Sequence, residues 1–298
     1  MISYFLFLLS SFLLVHPNKK NIRQSSKYGL VFFSIIISYY LLGFTSLILV
    51  LSNLSKFPIV IVSIFIFLYF LKFRNKKNFS KLKEIFIFLV NETKSELRKF
   101  KDTKKDITIL TIFLTFIILI FFSSIGPINH PDATDYHVGY PFQYFLRGKF
   151  FVDGGLHQGL LGIGDYANLP FIQERNIWLI RPLQIISLPL ICLLISKNIK
   201  NKILIYLILS CPVLIQWSTI GKPLFLHDSC FAALFLIWEN EKNDLNTRFL
   251  FIASILCIGI KISSLIIVFP ILIYLFYYLI KNKKFKIFNI KIFKDKLF

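Results

Sequence analysis

Acidic side chains are scarce in this chain, 15 Asp and Glu against 35 Lys and Arg in 298 residues, and cysteine and methionine are scarcer, at four and one. The four cysteines, Cys192, Cys211, Cys230 and Cys257, all lie inside apolar stretches, none in a CxxC spacing. That placement excludes a disulfide framework and a zinc site and fits buried thiols. No Gly-x-Ser-x-Gly, Walker or His-Glu-x-x-His pattern occurs, and no internal repeat. The string Gly159-Leu-Leu-Gly-Ile-Gly164 is not a nucleotide fingerprint, because no strand precedes it and no helix with a downstream acid follows. The net charge of +20 is also not that of a nucleic-acid binder: the cations sit in gaps between apolar runs rather than on one water-exposed face.

What the chain has in abundance is apolar length. With 56% hydrophobic residues and a mean hydropathy of +0.68, it breaks into stretches that read as membrane crossings. They are 1–15, 28–52, 57–71, 107–125, 177–195, 203–219, 229–238, 249–260 and 262–280. The shortest, 229–238 and 249–260, would also suit one re-entrant hairpin. The first has no basic residue ahead of it and no small-residue cleavage site behind it, so it is expected to be a retained helix. The expected fold is all-α: a polytopic transmembrane bundle of about nine helices, with an extracytoplasmic loop carrying interfacial helices.

Charge orients this arrangement. Alternating the faces places 16–27, 72–106, 196–202, 239–248 and 281–298 on one side, with 28 of the 35 Lys and Arg. Positively charged loops are retained inside, so that side is expected to be cytoplasmic and the membrane to be the cytoplasmic, or inner, membrane. The chain then divides into N-terminal helices 1–71, a basic amphipathic segment 72–106 on the anionic inner leaflet, a core 107–280, and a basic cytoplasmic tail 281–298.

The one long extracytoplasmic segment, 126–176, holds five of the six remaining acids, three of the five histidines and eight of the twelve glycines. Function is sought here first. Its first part, Asp132–Gly148, reads as a helix with Asp132 at the N-cap and Tyr136, Tyr140 and Tyr144 as an aromatic row for an interfacial position. Its second part, Asp153–Asp165, is too rich in glycine for a helix and is expected to be a loop able to close over a ligand.

Asp132 and Asp135 follow directly on the apolar run Ile107–Ile125, in His130-Pro-Asp-Ala-Thr-Asp-Tyr-His137. Asp132 fits two roles: a helix cap with Asp135 as its capping-box partner, or a carboxylate that takes the proton of an attacking hydroxyl while Asp135 binds a cation or a sugar hydroxyl. Asp132, Asp135 and His137 together form an oxygen-rich set with one imidazole, which would suit Mg²⁺ or Mn²⁺. Of the seven cations outside those loops, three are singled out as embedded near the outer boundary: Arg181, Lys222 and Lys261. Each either snorkels to headgroups or serves a ligand. His227 and Asp228 pair near the same face, or Asp228 caps a helix.

An outward Asp just after an apolar helix, then Tyr136-His137, a nearby Pro, and Leu146-Arg-Gly-Lys-Phe150 together resemble the first extracytoplasmic loop of the GT-C superfamily of membrane glycosyltransferases. His130-Pro-Asp132 is similar to the start of the His-Pro-Asp-Glu motif of its mannosyltransferase branch, which uses dolichyl-phosphate mannose; Ala133 stands where that motif has Glu. The resemblance spans about Ile107 to Tyr278. It implies sugar transfer from a polyprenyl-phosphate-linked donor to a lipid or glycan acceptor, inverting, with Asp132 as base and Asp135 in support. Under that implication Lys222 and Lys261, and less so Arg181, neutralise the departing phosphate, while Tyr136, His137 and His157 contact sugar hydroxyls. The partners are then the lipid-linked sugar, its acceptor and membrane lipids, with no nucleic acid. Two other classes stay open: a transporter or flippase, in which intramembrane charges form a pathway, and a non-catalytic assembly partner.

Overall fold

The computed structural model describes residues 1–15, 24–73, 78–99, 104–125, 128, 131–152, 158, 161–198, 211, 222 and 225–282. The expected crossing at 203–219 and the residues His130 and His157 lie outside them. Among the described residues every regular element is helical: α1 Ile2–Val15, α2 Gln24–Leu51, α3 Ile59–Phe73, α4 Asn78–Lys99 and α5 Lys104–Ser124. A π-turn Ala133–His137 then leads into the short helices α6 Gly139–Arg147, α7 Ile163–Tyr166 and α8 Leu169–Gln173. After a 3₁₀ turn at Ile177–Leu179 come α9 Ile180–Ile185, α10 Ser187–Asn198, α11 Phe225–Asn240 and α12 Asp244–Ile260, and a second 3₁₀ turn, Ile262–Ser264, starts α13 Leu265–Lys281.

Helix α2 is the centre of the bundle, packed by α1, α11 and α12. Two of its buried serines return their hydroxyls to their own helix, Ser38 to the Ile35 carbonyl and Ser46 to the Leu42 carbonyl, both at 2.8 Å. Phe33 stacks on Phe249 with ring centroids 4.6 Å apart, joining α2 to α12. At one end, α4 docks on the start of α2: the Tyr28 hydroxyl donates to Glu92 at 2.9 Å, Lys27 pairs with Glu84 at 3.2 Å, and Phe88 meets the Tyr28 ring edge-on. Lys242 closes the same end, its amine 2.8 Å from Glu239 and above the rings of Trp238, Tyr274 and Tyr278. At the other end, the segment between α5 and α9 folds over the tips of α2 and α3, where Ser55 donates to the Tyr144 carbonyl at 2.6 Å and the Ile59 N–H to Gln173 at 3.0 Å.

Among the described residues two helices, Ser26–Leu51 and Ile262–Lys281, are long and apolar enough to cross a membrane; the helical stretches Ile2–Val15, Ile59–Lys72, Thr115–Ser124 and the broken Ile177–Cys192 are apolar but shorter. Along α13 a continuous row of large apolar side chains, Ile266, Phe269, Ile273, Tyr277 and Ile280, faces outward. Apolar surface on that scale marks contact with lipid or protein rather than water.

Several expected elements differ in detail. The segment 177–195 is not one helix, because Pro189 has no N–H for the Ile185 carbonyl and its ring crowds that oxygen, ending α9 there. The two short crossings are longer than the apolar runs suggest: Phe225–Asn240 has 16 residues and Asp244–Ile260 has 17, about 24–26 Å each. Their ends are polar and satisfied locally, as where Asn243 caps α12 by accepting from the Asn246 N–H at 2.8 Å. The aromatic row does not lie on a surface either: Tyr140 and Tyr144 are buried beneath Phe150, Phe151 and Tyr166.

Candidate functional site

The π-turn sets the geometry of the acidic segment. Its closing bond runs from the Val138 N–H to the Ala133 carbonyl at 2.9 Å, one residue wider than an α-helical turn. Asp132 is helical at φ −61° and ψ −36° and makes no side-chain cap, so the expected N-cap is replaced by another role. Its Oδ2 lies 2.5 Å from the Lys222 amine, and this pair remains partly open, with the Asp132 side chain 44% exposed. A charge-assisted bond to a distant cation outweighs a bond to the segment's own backbone.

Immediately behind lies a second pair that is closed. Asp165 is fully buried on α7. Its Oδ1 is 2.5 Å from His137 Nδ1, and its Oδ2 accepts from the Lys261 amine at 3.0 Å and from the Gly162 N–H at 2.7 Å. Lys261 ends α12 in an extended conformation and places its amine 5.2 Å from the centre of the Tyr136 ring. Asn168 fixes the other side of His137 by donating to its carbonyl at 2.8 Å.

Glycine makes this depth attainable. A Cβ on Gly162 would stand 2.2 Å from the Ile260 carbonyl oxygen, and one on Gly43 would stand 2.1 Å from the Ile163 carbonyl oxygen. The backbone carrying Asp165 therefore runs in direct contact with both α12 and α2. The glycine-rich stretch expected to form a loop is thus helical at Ile163–Tyr166, held by its acid.

The electrostatics follow from burial. Burial pushes protonation of His137 below its ordinary value; Asp165 opposes this, while Lys261 and Lys222 add to it. The Tyr136 hydroxyl is held more firmly protonated, first by burial and then by Asp132, Asp165 and Asp135. These effects make one cluster of Asp132, Asp135, Tyr136, His137, Asp165, Lys222 and Lys261. Arg181 stands apart, donating to the Ser123 carbonyl at 2.9 Å. His227 and Asp228 do lie side by side at 3.3 Å, yet Asp228 is inside the first turn of α11 rather than at its cap. The His227 Nε2 also meets Ser264 Oγ at 2.9 Å, and its ring stacks on Tyr39, whose hydroxyl donates to the Gly164 carbonyl at 3.2 Å.

The metal set expected from Asp132, Asp135 and His137 does not converge: Asp132 turns to Lys222 and His137 to Asp165, and among the described residues no three His, Cys, Asp or Glu side chains are grouped to hold a metal. Asp165 was not expected in the site at all. The signal for it is an acid enclosed by Leu161, Ile163, Tyr166, Ala167 and Leu169, where a charge is costly unless paired. Beside the cluster, a cleft of about 410 Å³ runs along the π-turn and α6, lined by Ile128, Thr134, Val138, Gly139, Phe142, Ile177 and Trp178.

Chemically, the outer pair can exchange partners and the inner pair cannot easily do so. An anionic group reaching Lys222 competes with a carboxylate that water already touches; Asp165 and Lys261 are sealed. No protein-family model, no curated protein and no solved structure matches this chain. The functional reading therefore comes from the side chains themselves.

Proposed function

We propose that the protein is a polytopic integral-membrane glycosyltransferase that moves a sugar from a polyprenyl-phosphate donor to a hydroxyl acceptor on the extracytoplasmic face of the cytoplasmic membrane. The observation that carries this reading is the exposed Asp132–Lys222 pair, at 2.5 Å, on the turn that follows an apolar helix. The apolar cleft beside that turn has room for the first isoprene units of a lipid donor.

In this reaction the donor phosphate takes Lys222 from Asp132, and the freed carboxylate receives the acceptor proton. The acceptor oxygen attacks the anomeric carbon from the face opposite the phosphate. The C–O bond to phosphate breaks as the new glycosidic bond forms, inverting the centre, and polyprenyl phosphate leaves with its charge on Lys222. Lys261 contributes through its field across Tyr136, while Asp135 and Tyr136 border the sugar position. Because the donor is already activated, no nucleotide is needed for the transfer itself.

The test is mass spectrometry of lipid-linked sugars and surface glycans from cells with and without the gene, complemented by wild type and by Asp132→Asn. Deletion is expected to remove one sugar unit that wild type restores and Asp132→Asn restores at less than about 1% of the wild-type rate, the usual scale for a lost general base. Unchanged glycans on deletion, or full restoration by Asp132→Asn, would refute the assignment.

A further inference from the structure

His137 is 1% exposed, and among the described residues its Nε2 has no hydrogen-bond partner, a bare polar atom in a buried position. Such atoms are rare because they lose water without compensation, and a site that keeps one usually has a use for it. The opposite nitrogen is fully committed. Asp165 is a carboxylate whose Oδ2 takes two donors, Lys261 and the Gly162 N–H, and whose Oδ1 faces Nδ1. A carboxylate only accepts, so Nδ1 carries the hydrogen. Burial keeps the ring neutral, and a neutral imidazole protonated on Nδ1 presents a lone pair at Nε2.

The charges that act on His137 are Asp165, Lys261 and Lys222; a lone pair at Nε2 accepts from a donor such as a hydroxyl and offers nothing to a phosphate or carboxylate oxygen, which only accept. The Tyr136 ring, 3.9 Å from the imidazole between centroids, supplies an apolar face beside it. An apolar wall with one fixed acceptor is how a carbohydrate hydroxyl is held. We propose that Asp165 is a positioning residue that locks His137 in the Nδ1–H tautomer, so that Nε2 accepts a hydrogen bond from a hydroxyl of the bound sugar. The ligand half of this inference rests on the glycosyl-transfer reading; the tautomer half does not.

Asp165→Asn makes a sharp test because both Oδ2 donors require an oxygen at that position. The asparagine amide NH₂ must then face His137 Nδ1 and donate to it, which moves the imidazole hydrogen to Nε2. The measurement is nitrogen NMR of the full chain in nanodiscs with ¹⁵N-histidine, with His137 assigned by its disappearance in His137→Gln. Wild type should show an unprotonated Nε2, and Asp165→Asn a protonated one. A protonated Nε2 in wild type, or no exchange in the variant, overturns Asp165's role whatever the protein's activity.

The second arm adds citronellyl-phosphate mannose or glucose, and citronellyl phosphate as the sugarless control. The sugar compounds should shift the Nε2 resonance and the control should not. His137→Phe should weaken binding of the sugar compounds about tenfold, the loss expected for one hydrogen bond, and leave the control unchanged. His137→Gln, which keeps an acceptor near Nε2, should recover part of that loss. An equal shift with the control, or binding of both with no shift, assigns Nε2 to an anion or a structural water and overturns the hydroxyl contact. Absence of binding by every compound overturns that contact together with the transferase reading, while the tautomer result still decides what Asp165 does.

Discussion

Replacing Lys261 by Met should destabilise the protein far more than the same change at Lys222, although both amines hold a carboxylate. Asp165 is fully buried and the Lys261 side chain is 9% exposed, whereas Asp132 and Lys222 are 44% and 24% exposed. Removing one partner from a buried pair strands the other charge and costs about 3–5 kcal/mol, while an exposed pair contributes about 0–1 kcal/mol. The Gly162 and His137 bonds to Asp165 persist in the variant, so they do not cover the loss. Adding Asp165→Asn to Lys261→Met removes the stranded charge and should recover at least half of the loss.

The assay is built into the chain. Cys192, Cys230 and Cys257 are buried thiols that a fluorogenic maleimide reaches only on unfolding; Cys211, expected to be buried but partly exposed, is replaced by Ser so that it gives no native-state signal. At about 2–4 °C per kcal/mol for a chain of this size, Lys261→Met should lower Tm by about 6–20 °C and Lys222→Met by less than about 4 °C. A Lys261→Met protein within 2 °C of wild type on the order-of-magnitude scale of that same relation, or a double variant no better than the single, would refute the reasoning.

The buried imidazole makes the fold sensitive to acid. Protonation of His137 is pushed below the ordinary value of 6.5, first by burial, so the unfolded chain binds a proton that the native chain resists. The stability this supplies is present above about pH 6.5 and is lost as the pH falls, so Tm should drop between pH 7.5 and 5.5, and His137→Gln should flatten that slope, as read by the same thiol assay. Gly162→Ala should cost about 1–3 kcal/mol, because the Ile260 carbonyl oxygen 2.2 Å from the new Cβ belongs to a helix backbone that must shift. Gly29→Ala, whose nearest neighbour would be 3.4 Å away, should be tolerated within about 1 kcal/mol, and equal Tm values for the two variants would contradict the close approach.

The bundle was legible where apolar length alone decides structure. The runs over α1, α2, α3, α5 and α13 mark their helices to within a few residues, since apolar length leaves few alternatives even where Pro270 sits inside α13. The site was legible only in part. Asp132, Lys222 and Lys261 stand out as charges against an apolar background, but their pairing does not follow from local pattern: Lys261 lies 96 positions from its partner Asp165. The local rules also pointed elsewhere. A Pro-Asp step with an acid three residues on signals a cap, and glycines around Asp165 signal a loop; both were overridden by tertiary bonds that a window of a few residues does not contain. Tyr140 and Tyr144 were misplaced for the same reason, because amphipathic spacing does not distinguish a face turned to lipid from one covered by the next segment of chain.

Lys261 occupies the corner where α12 stops and α13 begins, its backbone extended at φ −153° and ψ 126° between two helical arms. The side chain that neutralises Asp165 is therefore also the joint of a helical hairpin. Whatever tugs that amine sideways turns an elbow, and the forearm it swings is the oily rod reaching to Lys281 at the far side of the molecule.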